Sequence, residues 1–185
     1  MTLTFGIHIA CSVVLFLLVT GAAYTDIAHG RIYNWMTGSA LLCGILLNTV
    51  AGGFYKQGLA TEPSFVMSGL GALVATACLL PFCLSGSLGA GDLKLMAAIG
   101  ALTGWLFTLT ALMYSAFFGL GITLVILAAN GLLWQGVKNS FRFLILPTSS
   151  RIKRFKESAT GKITIPYGAA IAAGTIVTWY MRNPV

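Results

Sequence analysis

The amino-acid sequence predicts an all-α integral membrane protein, one bundle of about six transmembrane helices, on three observations. Of the 185 residues, 57% are hydrophobic and only 8% charged, with a mean hydropathy of +0.89, whereas roughly a quarter of a soluble domain is charged. The uncharged stretches are long, covering 3–24, 32–55, 63–91 and 95–135, and a helix needs about 20 apolar residues to cross a bilayer. They are also continuous, which suits helices that satisfy their own backbone in lipid; barrel strands would show short alternating segments.

The elements follow in order within a single membrane-embedded domain, 1–185. Spans are placed at 4–24, 34–53, 63–84, 93–108, 109–134 and 163–181, with a basic loop at 135–162. The window from Leu95 to Gln135 is too long for one crossing, and its turn is placed between Thr103 and Thr110. The first stretch ends in small residues, like a signal peptide, yet no Lys or Arg precedes Arg31. Without a basic leading region it reads as a retained first helix. Gly100 with Gly104, and Gly168 with Ala172, form small-xxx-small pairs compatible with close helix packing. Cys11, Cys43, Cys78 and Cys83 lie in or beside apolar runs without a C-x-x-C pair, so they read as small apolar core residues. Adding His8 and His29 gives no metal-ligand spacing.

Orientation comes from the basic residues, which collect in cytoplasmic loops. Arg31, Lys94, Lys138, Arg142, Arg151, Lys153, Arg154, Lys156 and Lys162 fall on one side, and Lys56 and Arg182 on the other. Both chain ends are therefore expected outside the cytoplasm. Most of the +7 net charge sits between Gln135 and Lys162, interleaved with the apolar "FRFLIL". That mixture suits a segment lying on anionic membrane lipid, or a simple topological anchor, better than nucleic acid.

The chain has four acids. Glu62 and Glu157 fall in loops, where solvated charge is the ordinary explanation. Asp26 and Asp92 each sit at the end of an apolar span, where a carboxylate is costly and points to function. Two helices separate them, and an even number of crossings returns the chain to the same face. Two carboxylates meeting at one membrane boundary is what an aspartic protease needs: crowding makes them share a proton, so one can activate water while the other protonates a carbonyl. On residue type alone each has a second explanation. Asp92 could cap its helix, Asp26 could pair with Arg31, and Lys94 could be an interfacial anchor.

Three stretches resemble one family. "DIAHGRIYN" (Asp26–Asn34) resembles the D-x5-I-P-N segment of type IV prepilin peptidases, "GAGDLKL" (Gly89–Leu95) their G-x-G-D-x-K-L motif, and "IPYGAAIAAG" (Ile165–Gly174) their last helix. Tyr33 stands where the family often has proline, so the turn after Asp26 is shaped without a locked φ. The resemblance implies that Asp26 and Asp92 are the catalytic pair of a membrane aspartic endopeptidase working without metal or cofactor. It further implies the short, peptidase-only form associated with Flp (tight-adherence) pili, without N-methyltransferase activity.

The implied substrate is a prepilin or pseudopilin: a basic leader, a glycine before the cleavage point, then an apolar helix. A site at the cytoplasmic face of a bacterial inner membrane suits it, because the helix stays in lipid and the leader in water. Gly89 and Gly91 could admit a strand-like peptide beside Asp92, although ordinary turn glycines look the same, and Lys94 could touch the substrate. The competing expectation is a transporter subunit binding protons or cations at the two aspartates. Transporter sites tend towards the midplane of repeated helices, and no internal repeat is evident here.

Overall fold

A computed structural model describes residues 2–53, 64–86, 88–129 and 167–182. Within them the chain forms six helices: α1 (Thr2–His29), α2 (Asn34–Gly52), α3 (Phe65–Leu84), α4 (Ala90–Thr103), α5 (Trp105–Ala129) and α6 (Tyr167–Arg182). Four segments, Ile9–His29, Asn34–Gly52, Phe65–Leu84 and Trp105–Ile126, are long and apolar enough to cross a membrane. The all-α membrane bundle expected from the sequence is the architecture observed. The basic loop expected at 135–162 lies outside the described residues.

Helix ends follow local chemistry. α1 runs beyond the expected limit at residue 24 because nothing in "TDIAH" breaks a helix. It stops at Gly30, which takes a φ of 61° and donates its N–H to the Asp26 carbonyl at 2.8 Å, a left-handed ending that glycine allows. α3 opens on Ser64, whose hydroxyl accepts the Met67 N–H at 3.2 Å. The long apolar window breaks at Gly104, so the segments expected at 93–108 and 109–134 are observed as Ala90–Thr103 and Trp105–Ala129. Gly104 takes a φ of 83° and its N–H reaches the Gly100 carbonyl at 2.8 Å. One residue in a conformation that β-carbons disfavour thus ends one helix and lets the next begin.

The short α4 is the centre of the bundle. Every residue from Leu95 to Leu102 is buried, and α4 packs against each of the other five helices. Such all-round burial needs close backbone approach, which glycine provides. A β-carbon on Gly100 would collide with the Gly71 carbonyl of α3, and one on Gly71 with the Gly100 carbonyl. Towards α2, a β-carbon on Gly44 would stand 2.9 Å from the Ala101–Leu102 backbone.

Among the described residues, buried polar side chains in this apolar bundle are internally satisfied, as low dielectric demands. Buried Thr108, Thr175 and Thr178 donate to carbonyls four residues back at 2.7–2.8 Å, the usual refuge of a hydroxyl on an apolar helix. Asn48 of α2 does more. Its amide donates to Ser68 Oγ on α3 at 2.8 Å and to the Ala101 and Leu102 carbonyls of α4 at 3.0 and 3.3 Å. These carbonyls belong to the last turn of α4, where helical partners run out, so Asn48 ties three helices together at the break.

The cysteines require a correction. Cys11 packs in the core, Cys83 is half-buried, and Cys43 and Cys78 face outward, all as free thiols. Outward faces of these helices are apolar as well, so hydropathy alone does not separate a core thiol from one on the outer surface.

Candidate active site

Three helix ends converge. α1 finishes, and α4 and α6 begin, close enough for charged groups on the first two to interact. Asp26 lies in the last turn of α1 and is half-buried. Its carboxylate accepts the backbone N–H of Gly168, in the first turn of α6, at 2.7 Å. The approach requires glycine, since a β-carbon on Gly168 would stand 2.8 Å from Asp26 Oδ2 and 3.0 Å from its Cβ and Cγ. The alternative partner expected from the sequence is not used: among the described residues no ion pair joins Asp26 to Arg31, and Arg31 is exposed.

Asp92 occupies the first turn of α4 and is 9% exposed. It is not the cap residue; that position is Gly89, which accepts the Asp92 and Leu93 N–H groups at 3.1 and 3.3 Å. The Asp92 carboxylate folds back over this turn, with Oδ2 3.1 Å from where a β-carbon on Gly89 would lie. Asp92 stands outside the four long apolar spans. Burial pushes its carboxyl up from 3.8 to about 6, the Asp26 charge adds to the rise, and a backbone hydrogen bond at Gly89 opposes it. Burial and a like charge are the two influences that let a carboxyl hold its proton towards neutrality.

The remaining motif residues build the frame around the two acids. Gly91 admits Ile32, whose Cβ lies 3.2 Å from where a glycine β-carbon would sit. The space expected to be open above Gly91 is therefore filled by the α1–α2 turn, whereas Gly89 is exposed. Lys94 donates from Nζ to Asn34 Oδ1, on the first residue of α2, at 3.0 Å. In the same turn the rings of His29 and Tyr33 meet edge-on at 6.5 Å. The "DIAHGRIYN" and "GAGDLKL" stretches thus touch at Ile32–Gly91 and Asn34–Lys94, and the third stretch joins through Gly168. Among the described residues no three His, Cys, Asp or Glu side chains gather as metal ligands.

Sequence reading passed over the particular parts of Gly168, Ile32 and Asn34, although all three lie inside the quoted stretches. Asn48 was missed altogether. Its only signal was an amide in the middle of an apolar run.

The fold and this junction define a multi-pass membrane protein with two interacting carboxylates on helix ends. The type IV leader peptidase family matches residues 12–124, a stretch from α1 into α5 that contains both aspartates. The chain belongs to that family. No curated protein and no solved structure matches it.

Proposed function

We propose that this protein is a membrane aspartic endopeptidase that removes the short basic leader from prepilin or pseudopilin substrates at the cytoplasmic face of the bacterial inner membrane. The observation that carries the reading is the meeting of Asp26 and Asp92, strong enough for the Asp26 charge to act on the Asp92 carboxyl, inside the stretch that matches a leader peptidase family.

The chemistry uses the two carboxylates and one water. With one proton between them, the ionised member takes a proton from water as its oxygen bonds to the scissile carbonyl carbon. The protonated member gives its proton to the carbonyl oxygen. The resulting diol collapses: the C–N bond breaks, the departing amine takes up the proton first removed from water, and one diol hydroxyl returns its proton to the carboxylate that had protonated the carbonyl, restoring the singly protonated pair. Exposed Gly89 leaves room for a substrate backbone beside Asp92, and Lys94 stands at the same rim. The apolar part of the substrate would stay in lipid while its basic leader remains in water, a division that suits a site at the membrane boundary. The short form associated with Flp pili, a peptidase without N-methylation, completes the proposal.

The test is co-expression with a candidate prepilin, scoring leader removal on a gel and the mass of the mature N-terminus. Cleavage with an unmethylated new amine is expected. Failure to cleave any glycine-bearing prepilin when the protein is present in the membrane would count against the reading. Reporter fusions near Arg31 and Gly86 should both read as cytoplasmic, and a periplasmic reading for either would separate the two acids.

A further inference from the structure

The two aspartates are held in different ways. We propose that the pair has fixed roles: Asp26, gripped by the N-terminus of α6, takes the proton from water, and Asp92 is the acid that gives one to the substrate carbonyl, with Gly168 as the positioning residue that sets the difference. This deepens the peptidase reading and rests on it.

A backbone N–H can only donate, so Gly168 presents Asp26 with a group that favours an accepting oxygen, and it does so at 2.7 Å. The N-terminal turn of α6 adds a partial positive charge, of roughly half an elementary charge, directed at the same carboxylate. Gly168 engages Oδ2 of Asp26, and the role proposed for Asp26 assigns the attacking water to Oδ1. Asp92 also lies in a first turn, that of α4, and Asp26 sits in the last turn of α1, whose partial negative end offsets the α6 contribution, so helix ends do not single out Asp26. Burial does. Asp92 is 9% exposed while Asp26 is half-buried, and a buried carboxyl avoids charge unless it is well paired.

The neighbouring charged groups do not reverse this order. Lys94 is engaged with Asn34, and His29 packs on Tyr33. Tyr167 lies against Gly119 of α5, and Arg182 is at the far end of α6. Among the described residues, the group that registers the Asp26 charge across the junction is the Asp92 carboxyl.

The roles can be read by chemistry that distinguishes the two forms of a carboxyl. An aryl glycidyl ether is opened by an ionised carboxylate: the oxygen bonds to an epoxide carbon, the ring C–O bond breaks, and the alkoxide takes a proton from water. A diazoacetyl ester reacts with the protonated form: the acid proton moves to the diazo carbon, dinitrogen leaves, and the carboxylate oxygen bonds to that carbon. The experiment treats the full-length protein in liposomes with each reagent and maps the modified residue by mass spectrometry. The epoxide should mark Asp26 over Asp92 by at least tenfold, and the diazo reagent the reverse. Opposite mapping, or equal labelling of both residues by either reagent, would overturn the assignment.

Gly168→Ala supplies the second arm, because its β-carbon meets Asp26. Epoxide labelling of Asp26 should drop at least fivefold while diazo labelling of Asp92 persists, a pattern that general unfolding would not produce. Unchanged epoxide labelling would remove Gly168 from its role. If Asp26→Asn or Asp92→Asn still cleaves prepilin, the peptidase reading itself fails, whichever residue each reagent marks.

Discussion

Lys94 Nζ donates to Asn34 Oδ1 at 3.0 Å, so two residues sixty positions apart fasten the first turn of α4 to the start of α2. Asp92 lies two residues before Lys94, and Asp26 lies one turn before the loop that leads to Asn34. The bond therefore ties together the two segments that follow the carboxylates in sequence. Lys94→Met and Asn34→Leu should each slow prepilin cleavage by about tenfold, corresponding to about 1.4 kcal/mol for a charge-assisted hydrogen bond. In the double variant the loss should be no greater than in either single one. Fully multiplicative losses would show that the two residues act separately.

Asp26→Asn and Asp92→Asn should each reduce leader cleavage by at least a hundredfold while the protein still accumulates in the membrane. In the proposed mechanism neither carboxylate can take over the other's share of a common proton. Immunoblots of membrane fractions beside a cleavage gel give both readouts, and full activity in either variant would remove that residue from the pair.

The pair was legible because acids are rare in this sequence and both fall at span ends separated by two crossings. Its support was less so. The Gly168 contact joins residues 142 positions apart, and no spacing rule connects the end of a first helix to the start of a last one. Asn48 had no motif around it, and its partners at Ala101 and Leu102 are backbone carbonyls, which sequence does not label. The break at Gly104 lay within the expected turn but at its near edge, which shortened α4. Outward and inward faces were the least legible, as Cys43 and Cys78 show, because lipid and protein core select for similar side chains.

Asp92 supplies a pH dependence with a definite sign. Its carboxyl ionises near 3.8 when unfolded and near 6 when folded, so the folded state holds the extra proton between those values. Stability from this group is greatest below about 4 and is lost as pH rises towards 6. Activity should fall on the alkaline side as the shared proton leaves, with the limb beginning near pH 6. Asp92→Asn, inactive, should have a higher thermal midpoint than the parent at pH 8 and lose that advantage at pH 4. A midpoint difference independent of pH would contradict the assignment.

Gly71 and Gly100 bring α3 and α4 into backbone contact, and neither has room for a β-carbon. Gly100→Ala should lower the thermal midpoint in detergent by several degrees, in line with an overpacking cost of about 1–3 kcal/mol. Gly38→Ala, where a β-carbon meets nothing within 4 Å, should leave it unchanged. Equal midpoints for the two variants would mean that the helices separate freely.

At 14 residues and ~1.5 Å per residue, α4 is about 21 Å long, shorter than the ~30 Å hydrocarbon core of a bilayer. Its far end is moored by the Asn48 amide, and near that end it is wedged against Gly71. Longer helices adapt to a thicker or thinner membrane by tilting. A short strut fixed to its neighbours has its position dictated by the bundle, so Asp92 is placed by packing against α2 and α3 rather than by the acyl-chain length of the surrounding lipid.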